Sequence, residues 1–190
     1  MARASRRPEM AASYERLKAI IRRESLLTGG SFQLASGASS SLFFDMKKTM
    51  FDPEGASLVG ELMLDALGPE PVDYVGGLEM GAVPIVAALC VKSHPQRPVR
   101  GFFVRKTAKG HGTNQLIDGQ FADNSRVVIL EDVTTTGGSS LKAVAAVRER
   151  GARVERVITI VDRKEGAEPN FAAAGISLTS LFEREDFLNN

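Results

Sequence analysis

The chain has 190 residues, 43% of them hydrophobic and 25% charged, which is enough to bury the core of one compact domain. Lys and Arg number 24 against 23 for Asp and Glu, and this balance excludes a general electrostatic attraction to nucleic acid or to an anionic membrane. No apolar run reaches the roughly 18 residues that a membrane helix needs.

The ends of the chain and its cysteine content add little to this picture. Residues 1–10 carry several arginines but no apolar segment typical of a signal peptide, so we expect a disordered tail. Cys90 is the single cysteine, which excludes an internal disulfide and favours a reduced, cytoplasmic setting. Because it lies in an apolar run, we expect it to have a packing role. We therefore expect a single domain over residues 1–190.

The first third of the chain predicts a helix, a hairpin and a second helix. Apolar residues at helical spacing predict a helix over 11–27, which Gly29 and Gly30 would end. Residues 32–34 and 42–44 are typical of short strands, and the turn-rich residues 35–40 would join them. Asp52 as N-cap and Pro53 as first helical residue predict a helix that runs to about Leu67.

Strands and helices alternate through the rest of the chain. The strands are expected at 72–76, 99–104, 127–130, 157–161 and 176–181, and the helices at 84–91 and 141–150, with Gly151 ending the last one. The runs 127–130 and 157–161 are apolar at every position or nearly so, which is typical of strands covered on both faces. An α/β fold with a mostly parallel, doubly wound sheet is predicted, and such sheets bind ligands at the carboxyl ends of their strands.

The most informative segment follows the predicted strand 127–130. Two carboxylates, Glu131 and Asp132, are followed by a loop of small and hydroxyl-bearing residues that enters a helix: Val133, Thr134, Thr135, Thr136, Gly137, Gly138 and Ser139. Backbone N–H groups of such a loop bind phosphate, and the carboxylates suit sugar hydroxyls and a hydrated divalent cation. The segment lacks the Gly-Lys-Ser/Thr of a nucleoside-triphosphate loop, so ATP hydrolysis is disfavoured. A helix-capping turn beside an incidental acidic pair is the alternative interpretation.

Together these groups describe a site for a phosphorylated ribose. The segment closely resembles the phosphoribosyl pyrophosphate (PRPP) signature of type I phosphoribosyltransferases.

Residues 105–121 form a long segment without apolar periodicity, which often marks a functional lid. Three cations, Arg105, Lys106 and Lys109, and His111 lie on its glycine-rich first half. They could close over a departing pyrophosphate, neutralise its charge and exclude water. A solvated surface loop is the alternative.

Here the resemblance narrows to the orotate phosphoribosyltransferase family. The pattern at Arg105, Lys106, Lys109, His111 and Gly112 looks like that family's mobile catalytic loop, here 105–121. The family's N-terminal hood, here expected at 30–50, is similar to this chain at residues 34–37 and 43–45. The family's late Asp-Arg segment is similar to residues 162–166. The resemblance spans about residues 15–182, and it implies a type I phosphoribosyltransferase fold with a small hood.

The resemblance also implies roles for individual residues in substrate binding. The segment from Glu131 to Ser139 would bind PRPP, with Thr135 also near orotate. Arg163 would bind the orotate carboxylate, where a guanidinium fork fits two oxygens, and Phe43 and Phe44 would flank the base. The alternatives are a solvated arginine beside Asp162 and two phenylalanines that only pack in the core.

In catalysis, the resemblance implies that Arg105, Lys106, Lys109 and His111 bind the pyrophosphate. Lys109 is the candidate for protonating or clamping the leaving group with His111 assisting, while Glu131 and Asp132 would steady the sugar. Mg²⁺ would be the cofactor, held mainly by PRPP and through water by the acidic pair, with no direct side-chain ligand. A homodimer is implied, in which residues 105–121 reach the neighbouring subunit's site, with no nucleic acid or membrane partner.

Two departures from the family pattern concern binding of the donor. Ala35 stands where some members have a hood lysine, and the turn over residues 76–82 lacks another lysine near the pyrophosphate. That turn nevertheless resembles the Gly-Leu-x-x-Gly form of another family branch, whose backbone amides could bind pyrophosphate instead.

Two rival functions stay open from the sequence. Transfer to a purine or another base would use the same phosphate loop but no carboxylate-binding arginine. A nucleotide-sensing regulator on the same fold would be expected to show a basic face or an added domain.

Overall fold

The computed structural model describes residues 8–33, 39–107 and 116–188. The helices are α1 Pro8–Ile20, followed by a π-helical turn Ile21–Ser25, α2 Met46–Met50, α3 Pro53–Leu67, α4 Ala82–Ser93, α5 Gly138–Arg148, α6 Ala167–Ala173 and a final 3₁₀ turn Arg184–Phe187. The strands are β1 Leu26–Gln33, β2 Ser39–Phe44, β3 Tyr74–Gly76, β4 Arg100–Val104, β5 Ile117–Gly119, β6 Arg126–Thr134, β7 Arg153–Asp162 and β8 Ser177–Glu183.

Six strands form one sheet in the order β5-β4-β3-β6-β7-β8. All neighbouring pairs are parallel except β4 and β5, which are antiparallel. Side chains of β6 alternate between two cores: Val128 and Leu130 pack with α1, α3 and α4, while Val127 and Ile129 pack with α5 and α6. Helices cover both faces of the sheet, so the predicted doubly wound α/β fold is confirmed.

The start of α3 shows how local sequence sets an element boundary. Asp52 accepts a hydrogen bond at Oδ1 from the backbone N–H of Gly55 at 2.7 Å, and Pro53 takes the first helical position. An N-cap of this kind contributes about 1 kcal/mol to helix stability. The predicted helix from Pro53 to Leu67 is confirmed.

The first helix ends earlier than predicted, so the expected end at Gly29 and Gly30 is wrong. Strand β1 already begins at Leu26, which pairs with Phe44, and the two glycines lie inside β1 at a bulge between Thr28 and Phe32. The helical spacing of the apolar residues continues past Ser25, but pairing with β2 outweighs that local preference. The β1–β2 hairpin overlaps the segment 30–50 that was expected to form the hood, and it is called the hood below.

Besides the final 3₁₀ turn, three short elements of the described residues escaped prediction: α2, α6 and β5. They have only five, seven and three residues, too few for a periodic pattern. Strand β5 lies within the expected lid segment 105–121. Strand β6 also extends beyond the predicted 127–130 and includes the acidic pair. Within the described ranges, every helix is too short or too polar to traverse a bilayer.

Candidate active site

Three neighbouring strands end at the same edge of the sheet and bring the predicted site residues together. In the registers of β3, β6 and β7, Gly76 lies opposite Ile129, and Thr134 lies opposite Asp162. The turn after β3, the last four residues of β6 and the segment after β7 therefore meet at one place. This is the edge where parallel α/β sheets bind ligands.

Glu131 is a buried carboxyl group at this edge, with only 6% of its surface exposed. It accepts a hydrogen bond from the hydroxyl of Ser140 at 2.8 Å. Burial, and then the neighbouring charge of Asp132, raise the pKa of Glu131 to about 8. Near neutral pH the folded chain therefore favours the protonated form of Glu131.

Asp132 lies on β6, and its carboxylate contacts the turn over residues 76–82. Its Oδ1 accepts the backbone N–H of Val133 at 2.8 Å. A Cβ atom at Gly81 would lie 2.6 Å from that same oxygen, and one at Gly77 would lie 2.2 Å from the carbonyl oxygen of Leu130. Both glycines are needed for this close approach of the turn to the acidic pair.

The loop between β6 and α5 encloses a cavity of about 240 Å³. Gly137 is the N-cap of α5 at φ +83°, and a Cβ there would lie 2.7 Å from the Phe171 ring, so glycine is required on two grounds. The Thr134 hydroxyl is buried without a hydrogen-bond partner, which is costly unless a ligand or water supplies one. The cavity is lined by Glu131, Val133, Thr134, Thr135, Thr136, Gly137, Gly138, Ser139 and Lys142.

These features suit a phosphate group. The amino end of α5 and its backbone N–H groups face the loop and favour an anion, and Lys142 adds a cation to the lining. The acidic pair stands beside the loop, where a sugar attached to the phosphate would extend. A mere helix-capping turn would account for neither the cavity nor the unpaired hydroxyl.

Part of the expected lid falls in the described residues. Arg105 forms an ion pair with Asp118 of β5, and its guanidinium lies 5.6 Å from the centre of the Phe103 ring. The backbone N–H of Lys106 donates to Glu79 Oε1 at 2.9 Å, which ties the lid's first residues to the turn after β3. Lys109 and His111, like Ala35 of the hood, lie outside the described residues.

Arg163 follows β7 directly and is only 2% exposed, so the alternative of a solvated arginine is wrong. Its guanidinium donates to the Leu42 carbonyl at 3.0 Å and to the Ser40 hydroxyl at 2.8 Å, both on β2. It also donates to Glu165 from Nε and Nη2, at 3.1 and 2.9 Å. Arg163 therefore joins the hood to the carboxyl edge of the sheet.

Phe43 and Phe44 lie on opposite sides of β2. Phe44 is buried and packs edge-on against Phe187 at 5.2 Å between ring centres, so the expectation that it flanks the base needs correction. Phe43 is half-buried and stacks on Phe32 at 5.7 Å. Because side chains alternate along a strand, Phe43 is the one of the two that is partly exposed.

Sequence reasoning missed several residues of this site. Ser140 and Lys142 lie in the first two turns of α5, and a helical projection from Gly138 could have found both. Gly81 and Glu165 lie in segments that the sequence analysis singled out, but their own roles were not predicted, because they come from contacts with Asp132 and Arg163. No group of three or more His, Cys, Asp and Glu side chains in the described ranges is arranged to hold a metal ion.

Comparison with known proteins agrees with this geometry. Residues 47–179 match the family model of the phosphoribosyl transferase domain. The chain is 49% identical over 185 residues to an orotate phosphoribosyltransferase of Bradyrhizobium sp. (strain ORS 278), covering 93% of this chain and 98% of that relative. The chain belongs to the orotate phosphoribosyltransferase family.

Solved structures of the orotate phosphoribosyltransferase family share the fold. The Mycobacterium tuberculosis H37Rv enzyme in complex with Fe(III) dicitrate has a TM-score of 0.81 at 35% identity, covering 93% of this chain and 99% of that one. The same enzyme in complex with PRPP has a TM-score of 0.77 at 32% identity, covering 92% and 98%. The type I phosphoribosyltransferase fold predicted from the sequence is thereby confirmed.

Proposed function

We propose that this protein is an orotate phosphoribosyltransferase, which transfers ribose 5-phosphate from PRPP to orotate and releases pyrophosphate. The product, orotidine 5'-phosphate, is a precursor of UMP in pyrimidine biosynthesis. The observation that carries the proposal is the phosphate cradle after β6, with its acidic pair, in a chain of this family. A family relative has been solved in complex with PRPP, the donor in this reaction.

In the reaction, the bond from ribose C1 to a pyrophosphate oxygen breaks, and a bond from C1 to a ring nitrogen of orotate forms as that nitrogen gives up its proton. The residues from Val133 to Ser139 would bind the 5-phosphate, with Thr135 also near the base. Glu131 and Asp132 would hold the ribose hydroxyls, and the Asp132 carboxylate would stabilise the positive charge that develops on the sugar. Arg163 would pair with the orotate carboxylate, and Phe43 would contact the ring.

The pyrophosphate would leave towards the lid segment 105–121. Arg105, Lys106, Lys109 and His111 are assigned to it from the motif they form, and Lys109 would protonate or clamp the leaving oxygen. Mg²⁺ would be the cofactor, held mainly by PRPP and through water by Glu131 and Asp132, whose hard oxygens suit this cation. When bound, it would neutralise charge on the pyrophosphate.

The experiment that tests the function follows loss of orotate absorbance when the purified protein is mixed with PRPP and Mg²⁺. Adenine, hypoxanthine and uracil serve as parallel substrates, and EDTA as the control for the metal. Magnesium-dependent consumption of orotate alone is the expected result. Activity only on another base would overturn the role of Arg163, and no activity on any base would favour a nucleotide-sensing role.

We further propose a cytoplasmic homodimer in which the lid of one subunit completes the site of the other. Mixing the variants Lys109→Ala and Arg163→Ala after partial unfolding and refolding tests this directly. If the lid acts across the interface, a hybrid dimer contains one site with both residues intact, and about a quarter of the parent activity returns. If the lid acts within its own subunit, every site has one defect, and at limiting orotate the mixture shows only the average of the low activities of the two variants.

A further inference from the structure

The guanidinium of Arg163 is held on two edges by acceptors of different kinds. Its Nε–Nη2 edge donates both bonds to one oxygen of Glu165, at 3.1 and 2.9 Å. Its Nη1–Nη2 edge donates to the Leu42 carbonyl at 3.0 Å and to the Ser40 hydroxyl at 2.8 Å. One edge therefore meets a charged carboxylate, and the other meets two neutral acceptors of the hood.

These two edges differ in how easily a ligand can replace the acceptors. A guanidinium attracts a carboxylate by the Coulomb force between opposite charges as well as by hydrogen bonding, and a neutral carbonyl or hydroxyl lacks the first of these terms. A substrate carboxylate can therefore displace the Leu42 carbonyl and the Ser40 hydroxyl far more easily than it can displace Glu165. The Nη1–Nη2 edge, whose acceptors a ligand can replace more easily, faces the hood, where Phe43 also lies.

We propose that Glu165 is a positioning residue for recognition of the substrate carboxylate. It holds the Nε–Nη2 edge of Arg163, so that the Nη1–Nη2 edge is presented in one orientation. The hood atoms of Ser40 and Leu42 occupy that edge until the carboxylate of orotate replaces them. This inference rests on the proposed function, and it adds Glu165 to the residues that act in substrate binding.

The local backbone explains why Glu165 can reach Arg163 from only two residues away. Asp162 Oδ1 accepts the backbone N–H of Lys164 at 2.8 Å, and Lys164 has a left-handed φ of +57°. This turn places the side chains of Arg163 and Glu165 together. The Lys164 ammonium instead lies 3.6 to 3.7 Å from the carboxylates of Asp162, Glu168 and Glu183.

Burial explains why Arg163 needs a permanent counter-ion. Arg163 is 2% exposed and Glu165 is 26% exposed. An unpaired buried guanidinium would be strongly unfavourable before substrate binds, and the partly exposed carboxylate of Glu165 prevents this. Because the guanidinium has five N–H donors, it can serve Glu165 and a second carboxylate at the same time.

The test is steady-state kinetics of the full-length protein with orotate and PRPP varied separately in the presence of Mg²⁺. We expect Glu165→Ala to raise the KM for orotate about tenfold, because one charge-assisted contact that orients Arg163 is lost. The KM for PRPP should change less than about twofold. Glu165→Gln keeps an acceptor oxygen, and its KM for orotate should lie within about threefold of the parent.

Glu168→Gln is the matched control, since Glu168 is 74% exposed and pairs with Lys164. It should leave both KM values unchanged. If Glu165→Ala does not fold, Glu165→Asp replaces it: the shorter side chain moves the carboxylate away from Arg163, and the KM for orotate should still rise severalfold.

Three results would overturn the inference. The KM for orotate could be unchanged in Glu165→Ala, both KM values could rise equally, or orotate could bind more tightly because Glu165 competes with the substrate. A parent protein that consumes no orotate would overturn the proposed function as well. An active parent with any of the three results overturns the role of Glu165 alone.

Discussion

Replacing Glu131 with glutamine should change how the stability of the protein depends on pH. The folded chain buries Glu131 beside Asp132, and these two causes raise its pKa from an ordinary 4.5 to about 8. The folded state therefore binds this proton more tightly than the unfolded state does. Stability consequently falls as the pH rises from about 4.5 to about 8, and above that range the full penalty is present.

The magnitude follows from the two pKa values. Each pKa unit corresponds to about 1.4 kcal/mol, so the raised pKa of Glu131 lowers the free energy of unfolding, relative to its value below pH 4.5, by about 3 kcal/mol at pH 7 and by about 5 kcal/mol well above pH 8. Glutamine has a similar shape, can keep the contact with Ser140 and does not titrate. The free energy of unfolding of Glu131→Gln minus that of the parent should therefore rise by about 3 kcal/mol between pH 5.5 and pH 8.

Urea unfolding followed by circular dichroism at about pH 5.5, 7 and 8.5 measures this difference. Other groups that titrate in this range cancel in the comparison with the parent. Glu168→Gln is the control, because its exposed carboxylate should give a constant difference. Parallel pH dependence of Glu131→Gln and the parent would refute the reasoning, since it would mean that Glu131 is ionised in the folded protein.

Three further predictions concern the reaction. Lys109→Ala should lower kcat about a hundredfold while the KM for orotate changes little, because the side chain acts on charge developing at the leaving group. A kcat equal to that of the parent would exclude Lys109 from the mechanism. Arg163→Ala should raise the KM for orotate about ten- to a hundredfold, and an unchanged KM would exclude the carboxylate contact. Gly81→Ala should displace Asp132 and lower kcat/KM about tenfold at a nearly unchanged Tm. Gly60→Ala, whose Cβ would lie 2.6 Å from the Ala88 carbonyl oxygen between α3 and α4, should instead lower Tm and leave kcat unchanged.

Boundaries with a local physical cause were predictable from the sequence. The helix α3 starts where Asp52 caps it, and the buried strands β6 and β7 reveal themselves by their uninterrupted apolar residues. The end of the first helix was not predictable, because Leu26 leaves the helical pattern to pair with Phe44. Local preference amounts to tenths of a kcal/mol per residue, and strand pairing with burial exceeds it.

Residue order by itself determined the α/β alternation, the phosphate-binding character of the loop after β6 and the resemblance to one family. All of these depend on neighbours within one segment. Only the tertiary structure decided three features: the raised pKa of Glu131, the burial of Phe44, and the contacts of Arg163 with both Glu165 and the hood. Leu42 and Arg163 are 121 positions apart in the sequence. Residues so far apart along the chain form a hydrogen bond only when folding brings the edge of the sheet against the hood.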